Sequence, residues 1–126
     1  MATSRYQLRY AHRVNLGHGQ LQRHVLGCLD TWPVTTIPWL TMIYGVLHDV
    51  ADTPQLRSSM RRAVARLQLD GLVRATRLLL ASRAYSDEIT ITRAVLVICR
   101  PAASLVDQIP LIRFQEDVVT ASRRLG

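Results

Sequence analysis

Thr53 to Val73 constrains this chain more than any other stretch, because both of its ends are written in residue chemistry. Thr53 suits an N-cap, and Pro54 suits the first helical position, where its missing N–H is not needed. Gly71 suits the left-handed position just past a helix end. Between them, at about 100° per residue, Leu56, Met60, Ala63, Val64 and Leu67 fall on one side. Ser58, Arg61, Arg62 and Ala65 fall roughly opposite, with Arg57 and Arg66 on the two flanks. The spacing predicts a helix over 54–70 with one face for a core and an outer face of hydroxyls and guanidiniums.

The elements around it follow from the same rules. Leu21, Val25, Cys28 and Leu29 recur at helical spacing over Gln20–Thr31, and Trp32-Pro33 ends that helix because the residue before a proline is pushed towards extended backbone. Thr36 is an N-cap for a second helix, with Pro38 in its first turn. That helix is expected to reach about Val50 and to bury Leu40, Ile43, Tyr44 and Leu47. Ala51-Asp52 is a tight link, so the second helix and the arginine-bearing third make a helix-turn-helix arrangement.

After Gly71 the period changes. Residues 72–80 read as a strand, with a helical continuation towards Tyr85 as the alternative, and Ser82 to Asp87 is a polar turn. Residues 88–99 are rich in β-branched side chains and form the clearest strand, half-exposed at first and continuously apolar later, as if passing under the helices. Arg100-Pro101 stops it. Ala102 to Asp107 reads as a short helix. Beyond Pro110 a longer helix shares one face among Leu111, Phe114, Val118, Ala121 and Leu125, with Glu116-Asp117 and Arg123-Arg124 suited to its two dipole ends. This helix packs either on its own domain or on a second copy. Before Gly19, Arg5, Arg9 and Arg13 keep a four-residue spacing, as do Tyr6, Tyr10 and Val14. A short helical turn, a basic arm of the kind that reaches a nucleic-acid backbone, a frayed end and a segment packed on a partner subunit all fit.

The net charge of +7 is unevenly placed. Residues 1–23 carry +4, residues 24–53 carry −3, residues 54–100 carry +6 and residues 101–126 carry none. Positive charge therefore gathers in the N-terminal arm and in the helix-plus-hairpin region, an electrostatic footprint that fits nucleic acid. All 16 basic residues are Arg, which reflects coding bias more than function, although the guanidinium fork matches phosphate and guanine edges well. Cys28 and Cys99 sit far apart in apolar surroundings and are expected to be buried free thiols, consistent with a reducing, cytoplasmic compartment. No run of about 18 apolar residues marks a membrane span, and the polar, Arg-bearing N-terminus does not read as a secretory signal.

Helix, helix, basic helix ending in Leu69-Asp70-Gly71-Leu72-Val73, then a two-stranded hairpin: this order resembles the winged helix-turn-helix superfamily of bacterial and phage DNA-binding proteins, over about residues 20–100. The run Ser58-Ser59-Met60-Arg61-Arg62-Ala63-Val64-Ala65-Arg66-Leu67 is similar to the recognition helix of MarR-like and GntR-like regulators, without choosing between them. The resemblance implies an α+β, mainly helical fold, with a β-hairpin wing and extra elements at residues 1–19 and 101–126. It also implies a role for each position. Gln55, Ser58, Ser59, Arg61 and Arg62 would face a DNA major groove. Arg57 and Arg66 would flank it towards phosphates. Arg74 and Arg77 would line the first strand of the wing. Arg83 with Tyr85 would sit at the wing tip, over residues 81–88, on the backbone or minor groove.

The expected function is sequence-specific binding of double-stranded DNA by a transcriptional regulator acting as a homodimer. The alternative is a winged-helix interaction module whose Arg face meets an acidic protein. Catalysis has little behind it. There is no phosphate-cradling Gly loop, His12, His18, His24 and His48 lack metal-ligand spacing, and His48-Asp49 has no nucleophile near it. No cofactor or metal is expected, and nothing in the sequence marks a small-molecule effector site.

Overall fold

The computed structural model describes residues 19–81 and 92–125. Within them the chain is α+β and mostly helical. The elements are α1 (Gln20–Thr31), β1 (Val34–Thr36), α2 (Ile37–His48), α3 (Pro54–Leu69), β2 (Arg74–Ala81), β3 (Thr92–Cys99), a 3₁₀ turn over Val106–Gln108, and α4 (Ile109–Leu125). The three strands form one antiparallel sheet in the order β1-β3-β2.

The expected starts of α2 and α3 and the expected ends of α1 and α3 hold up in detail. The Thr36 hydroxyl accepts from Trp39 N at 3.3 Å and the Thr53 hydroxyl from Leu56 N at 3.1 Å, so α2 and α3 each begin on a threonine cap with a proline in the first turn. Past α3, Gly71 N donates to Gln68 O and Leu72 N to Leu67 O, both at 3.0 Å, with Gly71 at φ +75°. That is a Schellman closure, and it needs a residue without a Cβ at Gly71. α1 ends where the proline rule places it, with Trp32 extended before Pro33.

β1 is the element that the sequence does not declare. Val34-Thr35-Thr36 reads in sequence as a lead-in to α2, yet all three residues are buried and pair with β3, Val34 opposite Cys99 and Thr36 opposite Val97. β-branched side chains fit such a strand. β3 is therefore the central strand. Val97, Ile98 and Cys99 are fully buried because helices cover both of its faces, which accounts for the continuous apolar run. The expected outer part of the hairpin, residues 82–91, and the N-terminal arm lie outside the described residues.

Two corrections concern α2 and α4. α2 stops at His48, short of Val50. Asp49 takes a left-handed conformation (φ 54°, ψ 49°), and Val50 N returns to Gly45 O at 3.1 Å. The turn lies so close over Gly45 that a Cβ there would stand 2.7 Å from Val50 O. Leu47 is 66% exposed, while Ile37, Trp39, Leu40 and Thr41 are the buried residues of α2. The apolar first turns of α2 pack on both sides, and its second half projects from the core.

α4 turns a different face inwards from the one its apolar spacing suggests. Ile112, Gln115 and Val119 are buried, whereas Phe114 and Leu125 are 54% and 91% exposed. The reason is a polar contact. β1 is an edge strand, and Gln115 Nε2 donates to the outward carbonyl of Val34 at 2.9 Å. The short helix expected from Ala102 to Asp107 is instead a turn followed by the 3₁₀ segment.

The core has two parts. Val25, Cys28, Leu29, Leu40, Met60, Val64, Leu67, Val73 and Ile98 join α1, α2 and α3 to one face of the sheet. Val34, Leu80, Val95, Val97, Cys99 and Ile112 join the other face to α4. The C-terminal helix thus shares a core with the sheet. No helix among the described residues is long and apolar enough to cross a membrane.

Candidate nucleic-acid interface

α3 carries its core on Met60, Ala63, Val64 and Leu67 and leaves the rest of its circumference open. Gln55, Arg61, Arg62, Ala65, Arg66, Gln68 and Leu69 are exposed, and Ser58 and Ser59 are half-buried. The two central arginines diverge. Arg61 leans towards the sheet, where it lines a cleft of about 310 Å³ with Val64, Ala65, Gln68, Ala75, Arg77 and Leu96. Arg62 leans towards α1, where it lines a cleft with Gln20, Leu21, Tyr44, Leu56 and Ser59, and its Nη2 donates to Ser59 Oγ at 3.0 Å.

Strand alternation decides what the hairpin contributes. Leu78 and Leu80 on β2 and Val95, Val97 and Cys99 on β3 point towards α4. Ala75 and Arg77 on β2, with Leu96 on β3, point to the α3 side, and Arg77 stands directly opposite Leu96 in the register. The cleft therefore has one wall from a helix and one from a sheet, with a guanidinium on each. Neither Arg61 nor Arg77 makes an ion pair or side-chain hydrogen bond among the described residues. Five donors on each remain free to meet phosphate oxygens or base-edge acceptors.

The other sequence-selected arginines are differently placed. Arg57 is half-buried and donates to Asp52 Oδ1 at 2.6 Å. Arg66 is exposed, with its Nε 3.6 Å from Asp70 Oδ2 one helical turn on. Arg74 sits at the base of the hairpin, half-buried, and donates to Ala103 O at 2.6 Å, so it ties β2 to the turn before α4. Arg83 and Tyr85 lie outside the described residues. Gln68 was not singled out in the sequence, although it stands seven residues from Arg61 and so shares its side of the helix.

Arg61 also borders a second cleft, of about 420 Å³, beside Thr36, Arg93, Glu116, Thr120 and Arg123. There Arg93 donates both terminal nitrogens to the Glu116 carboxylate, and this hydrogen bonding raises the pKa of Arg93. Arg123 leans instead on Asp52 at 3.7 Å. Positive charge in this cleft is largely met from within the chain.

Burial pushes the Cys28 thiol up to about 11 and raises that of Cys99, which keeps both protonated and poorly nucleophilic at neutral pH. Both are free and buried. His24 Nε2 lies 2.8 Å from Leu40 O, an acceptor only, so Nε2 carries the proton, and burial lowers the His24 pKa. No group of three or more His, Cys, Asp or Glu among the described residues could hold a metal ion. Comparisons with protein-family models, with curated proteins and with solved structures found no match.

Proposed function

We propose that this chain is a double-stranded DNA-binding protein of winged helix-turn-helix type, a transcriptional regulator that presents α3 to the major groove and the β2–β3 hairpin to the adjoining backbone. One observation carries the reading: the cleft between α3 and the hairpin holds Arg61 and Arg77 on facing walls, neither in an ion pair or side-chain hydrogen bond among the described residues. The order helix-strand-helix-helix-strand-strand, with the sheet order β1-β3-β2, is compatible with it. On this reading Arg61, Arg62, Gln55 and Gln68 reach base edges, Arg66 and Arg77 reach phosphates, and Arg57 and Arg74 hold the scaffold.

The test is duplex binding against salt. A DNA binder loses affinity linearly in log K against log salt, with a slope that counts displaced counterions. Arg61→Ala with Arg77→Ala should weaken binding by about ten- to a hundredfold and flatten that slope. Arg74→Ala should leave the affinity of the folded fraction unchanged while lowering stability. A double variant that binds duplex as tightly as the parent would remove the assignment.

A second reading has an observation of its own. Leu79 is 75% exposed, on the same strand face as Arg77, with Leu96 also exposed beside them. An apolar and basic strip of this kind suits an acidic, amphipathic protein segment. Flat salt dependence, with Leu79→Ser abolishing capture of such a segment, would favour it over DNA.

A further inference from the structure

Phe114, Val118, Ala121 and Leu125 recur on α4 at alternating steps of four and three residues, the spacing of a coiled-coil seam. The helix docks through Ile112, Gln115 and Val119, and the seam faces mostly outward: Ala121 and Leu125 are exposed, Val118 is half-buried, and Phe114 is 54% exposed although its ring reaches Trp39 of α2 at 6.3 Å between centroids. Apolar surface continues onto α2. Val46 is 74% exposed, and with Met42 it lines a cleft shared with Val119 and Ser122 of α4. An apolar strip of this length, roughly 16 Å from Phe114 to Leu125 at 1.5 Å per residue, is unusual on a surface that meets only water.

Charge says what covers it. One flank of the seam belongs to the docked face. The other carries Asp117 and Arg124, one heptad apart, both exposed and neither in an ion pair among the described residues. When two such helices run antiparallel, same-flank residues face each other across the seam. Asp117 then meets the partner's Arg124, and Arg124 the partner's Asp117. The same crossing sets Phe114 against the partner's Leu125 and Val118 against the partner's Ala121. A parallel pair would instead turn Asp117 and Arg124 towards the flank of Gln115 and Ser122, which offers no opposite charge and is closed by Gln115 in the core.

We infer that the open face of α4, extended by Met42 and Val46, is the docking surface for a second copy of this chain, with the two α4 helices antiparallel about a two-fold axis between Val118 and Ala121. The flank is self-complementary in charge, as an isologous contact must be. The inference does not depend on DNA binding.

Sedimentation or light scattering across a concentration series tests it on the whole chain. The parent should be a dimer in equilibrium with monomer. Val118→Asp should leave a folded monomer, with far-ultraviolet circular dichroism unchanged. Asp117→Arg and Arg124→Asp should each weaken the dimer by about tenfold, because the two-fold axis repeats every change. The double exchange, Asp117→Arg with Arg124→Asp, should return the dissociation constant to within about threefold of the parent. A parent that stays monomeric overturns the proposal, the face then being covered by another part of the chain or by another protein. A dimer indifferent to Val118→Asp overturns the surface. Failure of the double exchange to rescue overturns the antiparallel register.

Discussion

α3 and α4 are of nearly equal length and both amphipathic, yet of the two only α3 puts its sequence-evident apolar stripe into the core. In α3 Met60, Ala63, Val64 and Leu67 are buried and the opposite side is polar, so a single solution exists. In α4 there are two usable faces. Ile112 and Val119 make one, interrupted by Gln115, and Phe114, Val118, Ala121 and Leu125 make the other. The weaker-looking face wins because Gln115 supplies the donor that the Val34 carbonyl at the sheet edge requires. Periodicity ranks faces by greasiness, but docking is decided by what the opposing surface needs.

The sharpest way to break that contrast is to truncate both faces of α4. Leu67→Ala in α3 and Ile112→Ala in α4 should each cost about 2–5 kcal/mol by denaturant unfolding, since both side chains are fully buried. Phe114→Ala on the same helix should cost the monomer less than about 1 kcal/mol. Equal losses at Ile112 and Phe114 would mean that α4 is docked through its other face. Next in size is Gln115→Leu, which keeps volume but strands the Val34 carbonyl, and should cost about 1–3 kcal/mol. A neutral result would remove the polar contact as the reason for the orientation of α4. Thr53→Ala should cost α3 about 1 kcal/mol through the lost cap to Leu56 N, and Thr53→Ser should recover most of it.

The smallest effect belongs to the α1–α2 contact, on the α3 side of the sheet. The folded-state pKa of His24 lies below its ordinary 6.5, with burial the main cause. The unfolded chain therefore binds the proton more readily. This contribution to stability is fully present above pH 6.5 and is lost as pH falls through the folded pKa. A thermal melt series from pH 7.5 to 5 on the parent and on His24→Gln should show that dependence shrink in the variant. An unchanged slope would place the titration elsewhere.

What was legible in the sequence was the local chemistry. Threonine caps, prolines in first turns and the Gly71 closure act within a few residues, so α1 and α3 could be bounded and the start of α2 placed. What was not legible depended on partners far along the chain. β1 is a strand only because Val97 to Cys99 lie beside it. The end of α2 depends on Gly45 and Val50 closing together. Among the site residues, exposure of Arg61, Arg62 and Arg66 followed from the helical wheel. The engagement of Arg57 by Asp52, and of Arg74 by Ala103, needed the fold. Gln68 is readable from its seven-residue spacing to Arg61, which puts both on one side of the helix.

Asp52 gathers a further meaning from its place. Its two carboxylate oxygens reach in different directions, Oδ1 to Arg57 on α3 and Oδ2 to Arg123 on α4. If the proposed function and the proposed pairing at α4 both hold, that carboxylate would link α4 to α3 in each chain and so bear on the distance between the two α3 helices. On B-form DNA that distance is a phase, since successive major grooves on one side recur every ~34 Å. Replacing Asp52 would then change less the sequence that each chain selects than the tolerance for inserted or deleted base pairs between two selected sites.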